Sequence, residues 1–126
     1  MTTASTLGDA QFVLLTTFRR DGTGVPTPVW VAPVEDGLGV WTPGGSGKVK
    51  RIRRDGAVTL AACDRRGRPI GEAVPGRARI LDAAGTARVR AAVRRKYGLL
   101  GKVLTTISAL RRQQPGPVGI AITLEA

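Results

Sequence analysis

Residues 26–54 read Pro26-Thr27-Pro28-Val29-Trp30-Val31-Ala32-Pro33, Val34-Glu35-Asp36-Gly37-Leu38, then Gly39-Val40-Trp41-Thr42-Pro43-Gly44-Gly45-Ser46-Gly47-Lys48-Val49-Lys50-Arg51-Ile52-Arg53-Arg54. Two β-rich runs flank the acidic, glycine-containing turn Glu35-Asp36-Gly37, which predicts a β-hairpin. The second run ends at Thr42 and passes through a Gly-rich turn to Ser46, Lys48, Lys50 and Arg51. That ending has the chemistry of anion binding, because glycines let backbone N–H groups approach an anion closely. Ser46 suits a helix N-cap, so a short helix is expected to start there and aim its positive end at the same spot. Lys48 and Arg51 are three apart and would share one face of that helix. A flexible loop followed by a solvated basic helix has the same composition, and both readings stay open on these residues alone.

Working outward, Gln11–Phe18 carries apolar residues on both faces and reads as a buried strand. The turn Arg19–Gly24 contains Asp21-Gly22, so the strand from Val25 should pair antiparallel with the first. Pro26, Pro28 and Pro33 cannot donate to a ladder, so that strand must have free or ligand-facing positions. Trp30 and Trp41 fall on adjacent strands of the predicted hairpin and are expected as cross-strand core partners. Ser46–Arg54 should bury Val49 and Ile52 and end at Asp55-Gly56. Ala57–Cys63 is another buried strand, followed by the charged turn Asp64–Pro69. Ile70–Val74 and Gly76–Asp82 continue as β structure, with a break expected at Pro75-Gly76, and Arg77 and Arg79 share one face.

Thr86 is the expected N-cap of a long helix, in which Val89, Val93, Leu100, Leu104 and Ile107 recur at spacings of three, four or seven. Gly98 predicts a break in it. Arg88, Arg90, Arg94, Arg95, Lys96, Lys102, Arg111 and Arg112 decorate this segment as a solvated face or as a basic wall for an acidic tail. Val118–Glu125 is the last strand. Residues 1–6 read as a frayed end and Leu7–Ala10 as a short helix. The result is a mainly β, α+β chain of about six antiparallel strands with inserted helices, one domain over residues 1–126, suited to a small closed or split barrel.

Composition narrows the function. The 126 residues hold 20 basic and 9 acidic side chains, a net charge of +11, and no histidine. The commonest general base and the commonest zinc ligand are therefore missing. The single cysteine, Cys63, excludes an internal disulfide and reads as a structural thiol. Neither a signal peptide nor a membrane span is expected, which implies a cytoplasmic protein. The positive balance would suit nucleic acid, a polyanionic small molecule or plain surface charge. With aromatics at only 4% and no basic-aromatic interleaving, a nucleic-acid stacking platform is disfavoured.

The ordered motifs P-T-P-V-W-V (26–31), D-G-L-G-V-W-T (36–42) and S-G-K-V-K-R-I-R-R-D (46–55) resemble the flavin-binding split-barrel superfamily. More narrowly, they resemble the actinobacterial deazaflavin branch of PPOX-class F420-dependent oxidoreductases. Thr42, Ser46 and Lys48 also resemble the FMN-phosphate segment of pyridoxamine-phosphate oxidases. The likeness continues through Ala57–Asp64 and Gly76–Leu81. It implies an FMN-binding split β-barrel that takes coenzyme F420, or alternatively FMN, and transfers a hydride from reduced F420 to an unsaturated small molecule. The cofactor would carry that chemistry, so no catalytic side chain is expected. The resemblance assigns cofactor contact to Thr27, Pro28, Val29, Trp30, Trp41, Thr42, Ser46, Gly47, Lys48, Lys50 and Arg51, with Arg54 or the long-helix arginines drawing in the acidic tail. It further implies a homodimer with cofactor sites between subunits, reached from the partner by residues around Gly71, Glu72, Arg77 or Arg79. The chain departs from the oxidase pattern at Gly47, where that pattern has a basic residue, and this favours F420 over FMN. An FMN-binding relative, a non-catalytic cofactor carrier and a nucleic-acid-binding barrel are the competing readings.

Overall fold

In the computed structural model the chain is described over residues 3–35, 37–110 and 116–125, with side chains for all of these except 100–110. The sequence expectations for Asp36, Arg111 and Arg112, and for the side chains of Leu100, Lys102, Leu104 and Ile107, lie outside the described residues.

One bent run of chain closes the sheet. β1 (Phe12–Phe18) pairs antiparallel with β2 (Gly24–Val29), while β3 (Val31–Val34) pairs antiparallel with β4 (Gly37–Pro43) across the predicted Glu35 turn. With β5 (Ala57–Cys63), β6 (Val74–Ile80) and β7 (Pro117–Leu124), the sheet order is β2-β1-β5-β6-β7-β4-β3. β2 and β3 are thus opposite ends of the sheet, yet Trp30 alone separates them in sequence. The sheet must curl until its two ends meet at that residue, which makes a split barrel.

The expected count of about six strands is therefore corrected to seven. The predicted strand from Val25 through Pro33 breaks at Trp30, because its first half pairs with β1 and its second half with β4. The tryptophans are corrected with it. Pairing in the β3–β4 hairpin stops at Val31–Val40, so Trp30 stands outside the ladder, and Trp41 lies opposite Gly119 of β7.

β6 also departs from expectation, since it runs unbroken through Pro75-Gly76, opposite Thr59 and Val58 of β5. The Pro75 carbonyl accepts from the Glu125 N–H, so the side of Pro75 that lacks a donor faces the end of β7 and not β5. The segment before it is not the expected strand. It makes one isolated bridge, Cys63 to Pro69, and leaves Ile70 73% exposed.

Alternation puts Val13, Leu15 and Thr17 of β1 and Leu38, Val40 and Thr42 of β4 on the inner face. The barrel core adds Val58, Leu60, Ile120 and Ile122, with Leu7 from α1 (Ala4–Asp9). α2 (Gly47–Arg54) buries Val49 and Ile52 as its periodicity predicts and packs on β1 and β6. A second cluster forms on the outer face, where Val89, Ala92 and Val93 of α3 (Ala83–Leu110) meet Ala32 with Trp30, Trp41, Leu81 and Tyr97 around them.

That approach depends on small residues. A Cβ added at Gly39 or Gly119 would stand 3.0 or 3.1 Å from the Val89 side chain. α3 breaks at Gly98 (φ 59°, ψ −134°), as predicted. Its start differs from prediction. Asp82 caps it, with Oδ1 accepting from the Gly85 N–H at 2.8 Å, and Thr86 Oγ1 instead accepts from the Gly119 N–H at 2.9 Å.

Candidate functional site

Two polar side chains are buried among the described residues, Thr17 (1% exposed) and Thr42 (4% exposed). Both point inward near the ends of their strands. β1 and β4 lie far apart in the sheet order, so one short helix reaching both has to cross the barrel mouth. α2 does so. Lys48 Nζ donates to Thr42 Oγ1 at 2.9 Å, and Arg51 Nε donates to Thr17 Oγ1 at 2.6 Å. Arg54 Nη2 donates to the Phe18 carbonyl at 2.6 Å.

The Lys48 ammonium is pushed below its ordinary pKa, first by burial and then by the Arg51 charge. Two partly buried cations held side by side favour an anion beside them. Lys48 spends one of its three N–H donors on Thr42, and the Arg51 guanidinium spends one of five on Thr17, so both have donors to spare.

Ser46 takes the N-cap position, but its hydroxyl makes no capping bond. Its N–H donates to the Pro43 carbonyl at 3.2 Å, and its buried Oγ has no hydrogen-bond partner among the described residues. The first-turn N–H groups of α2 also lack intrahelical partners. An orphaned hydroxyl, a half-buried ammonium and the positive end of an eight-residue helix therefore converge, which is a donor set that fits a phosphate. A Cβ at Gly47 would stand 2.7 Å from Arg51 Nη1, the far end of a flexible side chain that can shift aside.

The other predicted contacts divide. Lys50 is exposed on the opposite side of α2 from Val49 and Ile52. Thr27 and Val29 pair with Leu15 and Val13 and share the inner face, while Pro28 pairs with Leu14 and turns outward. Thr27–Trp30 therefore offers a free strand edge, not one surface of side chains. Trp41 lies in the cluster beneath α3, on the sheet face opposite Thr42. Gly71 and Glu72 are exposed before β6, and Arg77 makes loose ion pairs with Asp55 at 3.6 Å and Glu125 at 3.8 Å. Cys63 is buried, and its thiol is pushed up by that burial and by Asp64.

Sequence reasoning missed Thr17, Lys96 and Tyr97. Trp30 stacks on Tyr97 with centroids 4.1 Å apart and meets Phe12 edge-on at 6.5 Å. Tyr97 Oη accepts from the Val31 N–H at 3.2 Å and lies 2.7 Å from the Gln11 carbonyl, to which it donates. Lys96 Nζ donates to the carbonyls of Ala10 at 2.5 Å and Val31 at 2.7 Å. Burial lowers the Lys96 pKa and raises that of Tyr97. The two side chains clasp the lips of the split and fix the corner at Trp30. The one available signal was a lone tyrosine beside the helix-breaking Gly98.

No protein-family model matches the chain, and no curated protein matches it in sequence. Solved structures match its fold, which is that of the PPOX-class split barrels. A conserved hypothetical protein from Mycobacterium tuberculosis, Rv2991, superposes with a TM-score of 0.72 at 21% identity, covering 100% of this chain and 82% of the other. HutZ, the heme storage protein of Vibrio cholerae, gives 0.70 at 10% identity, covering 97% and 87%. An F420 reductase gives 0.63 at 20% identity, covering 97% and 93%. These likenesses are of fold. They agree with the architecture that the motifs implied, and the neighbours include a storage protein as well as a reductase. Among the described residues no helix is long and apolar enough to cross a membrane.

Proposed function

We propose that this chain binds coenzyme F420 and reduces an unsaturated small molecule with a hydride from the reduced cofactor. The observation that carries this reading is the donor set at the start of α2, where the unpaired buried Ser46 Oγ stands beside the half-buried Lys48 held on Thr42. In this reading Ser46, Lys48 and the first N–H groups of α2 hold the phosphate. Arg51 keeps the site positive, and Arg54 and Lys50, on the same helix, attract the acidic tail. The free edge of β2 at Thr27, Pro28 and Val29, with Trp30 at the corner beyond it, presents backbone to the cofactor ring, and Tyr97 keeps that corner in place. When bound, the reduced deazaflavin supplies the hydride. The site is completed in a homodimer, with the side of one copy around Gly71, Glu72 or Arg77 facing the cofactor of the other. The likeness to an F420 reductase along 97% of the chain supports the reading. The likeness to a heme storage protein favours a second one, binding of F420 or FMN without turnover.

A paired titration with F420 and FMN, on wild type and Lys48→Ala, tests the proposal. F420 should bind more tightly, and Lys48→Ala should weaken it by roughly 10- to 100-fold, the scale of one or two charge-assisted bonds. Tighter FMN binding moves the protein to the flavin branch. Unchanged affinity in the variant rejects the phosphate position, and binding of neither cofactor removes the enzyme reading. Binding without oxidation of reduced F420 across a panel of enones and other activated alkenes leaves the carrier.

A further inference from the structure

A cavity of about 760 Å³ opens on the outer face of the sheet, between the first half of α3 and strands β3, β4, β7 and β6. None of the β2, β4 and α2 residues predicted to contact the cofactor lines it, but Arg79, Arg88 and Arg95, which the resemblance offered to the cofactor's tail or to the partner's cofactor, do. We propose that it is a second ligand site, for an elongated organic anion with an apolar body. The volume lies within the range of small-molecule pockets. Its floor is made by Gly37 of β4 with Ala121 and Thr123 of β7, and its apolar wall by Val34, Leu81 and Val89.

The rim is basic. Arg79 of β6, whose register partner is Ala121, stands on one side of this trough, and Arg88 and Arg95 of α3 stand on the other. Arg88 and Arg95 are seven apart, two helical turns, which places them on one face with about 10.5 Å between their backbones. The lining contains a single acid, Glu35.

What sets these three arginines apart is that they border the trough without a protein partner. Lys48, Arg51, Arg54 and Lys96 donate to strand or loop oxygens, and Arg68 and Arg77 pair with carboxylates. Arg79, Arg88 and Arg95 make no hydrogen bond or ion pair with the described residues. Three exposed guanidinium groups without a protein partner border an apolar trough, and that combination favours acidic groups at the ends or side of an apolar framework. A neutral apolar molecule would gain nothing from the guanidinium groups, and a small inorganic anion would leave the trough unfilled.

The test uses the full chain and two fluorescent probes, the anion 8-anilinonaphthalene-1-sulfonate and the neutral N-phenyl-1-naphthylamine. The anion should bind saturably at one site and weaken as salt rises. The double variant Arg88→Ala/Arg95→Ala should weaken it by about tenfold or more, the scale of two partly exposed charge contacts. Ala91→Trp, which fills the cavity from an exposed helix position and removes no charge, should abolish binding. Far-UV circular dichroism confirms that each variant keeps the fold. The neutral probe should bind more weakly and ignore the arginine substitutions. Equal binding of the two probes, or an unchanged titration in both variants, overturns the proposal.

The site is separable from the cofactor reading. Lys48→Ala should leave the anionic probe's affinity unchanged, and saturating F420 or FMN should not displace the probe. Displacement would show that the trough belongs to the cofactor and end the claim of a second site. Failure of either cofactor to bind would leave the probe result standing.

Discussion

α2 and α3 are both studded with cations, but the two helices use them differently. On α2, Lys48, Arg51 and Arg54 each donate to an acceptor on a strand, two of them to threonines buried inside the barrel. On the first half of α3, Arg88 and Arg95 border a trough with no partner among the described residues, while Lys96 reaches across to the backbone at the split. Composition does not separate them. The difference comes from the sheet beneath, because the strand ends under α2 turn hydroxyls inward, while the outer face under α3 offers glycine, alanine and valine. A cation over buried acceptors becomes part of the fold as well as part of a site. One over an apolar floor is left for a ligand.

The largest effect should come from the clasp. Tyr97→Ala removes the Trp30 stack and the bonds to Gln11 and Val31, and should cost about 2–4 kcal/mol in urea unfolding. Tyr97→Phe keeps the stack and should cost about 1 kcal/mol. If the two variants melt alike, the ring contact contributes little and the hydroxyl holds the seam.

Next comes the direct contrast between the helices. Arg51→Ala leaves the buried Thr17 hydroxyl without its donor and should cost about 1–2 kcal/mol, whereas Arg88→Ala should stay within about 0.5 kcal/mol. Equal costs would erase the distinction drawn above.

The smallest effect is a pH dependence. Lys48 has a folded pKa below its ordinary 10.5, so between those values the unfolded chain binds more protons than the folded one. The Lys48 contribution to unfolding free energy therefore rises with pH through that window and is flat below it. Lys96 is shifted in the same direction, while Tyr97, raised above 10.0, acts oppositely at higher pH. The difference between wild type and Lys48→Met, followed by urea unfolding from about pH 8 to 10.5, isolates the term. A difference that does not change with pH would mean that Lys48 is solvated and that the buried cluster on α2 is misjudged.

Much of this architecture was legible because it is local. The Glu35 turn, the amphipathic period of Val49 and Ile52, the Ala57–Cys63 run and the break at Gly98 are each written in a few adjacent residues. The donor cluster from Thr42 to Arg51 was legible for the same reason, since a single turn joins its strand and helix. What the sequence hid depends on distant partners. Trp30 reads as a strand residue until β1 and β4 compete for the two halves of its run. Thr86 reads as a cap until α3 is seen to lie on Gly119, where its hydroxyl has a different donor to satisfy. Thr17, Lys96 and Tyr97 carried no local motif, because the groups they bond lie 34 to 86 positions away.

The prolines of the bent run have one more consequence. β2 and β3 are the two free margins of the sheet, and Pro26, Pro28 and Pro33 sit on them. Because both strands keep their inner ladders, the missing N–H groups are those that would have pointed outward. A second copy laid alongside either margin would find acceptors without donors, so the molecule is guarded against strand-by-strand aggregation on both flanks. Two copies that associate must therefore meet through faces and side chains, not by extending one continuous sheet.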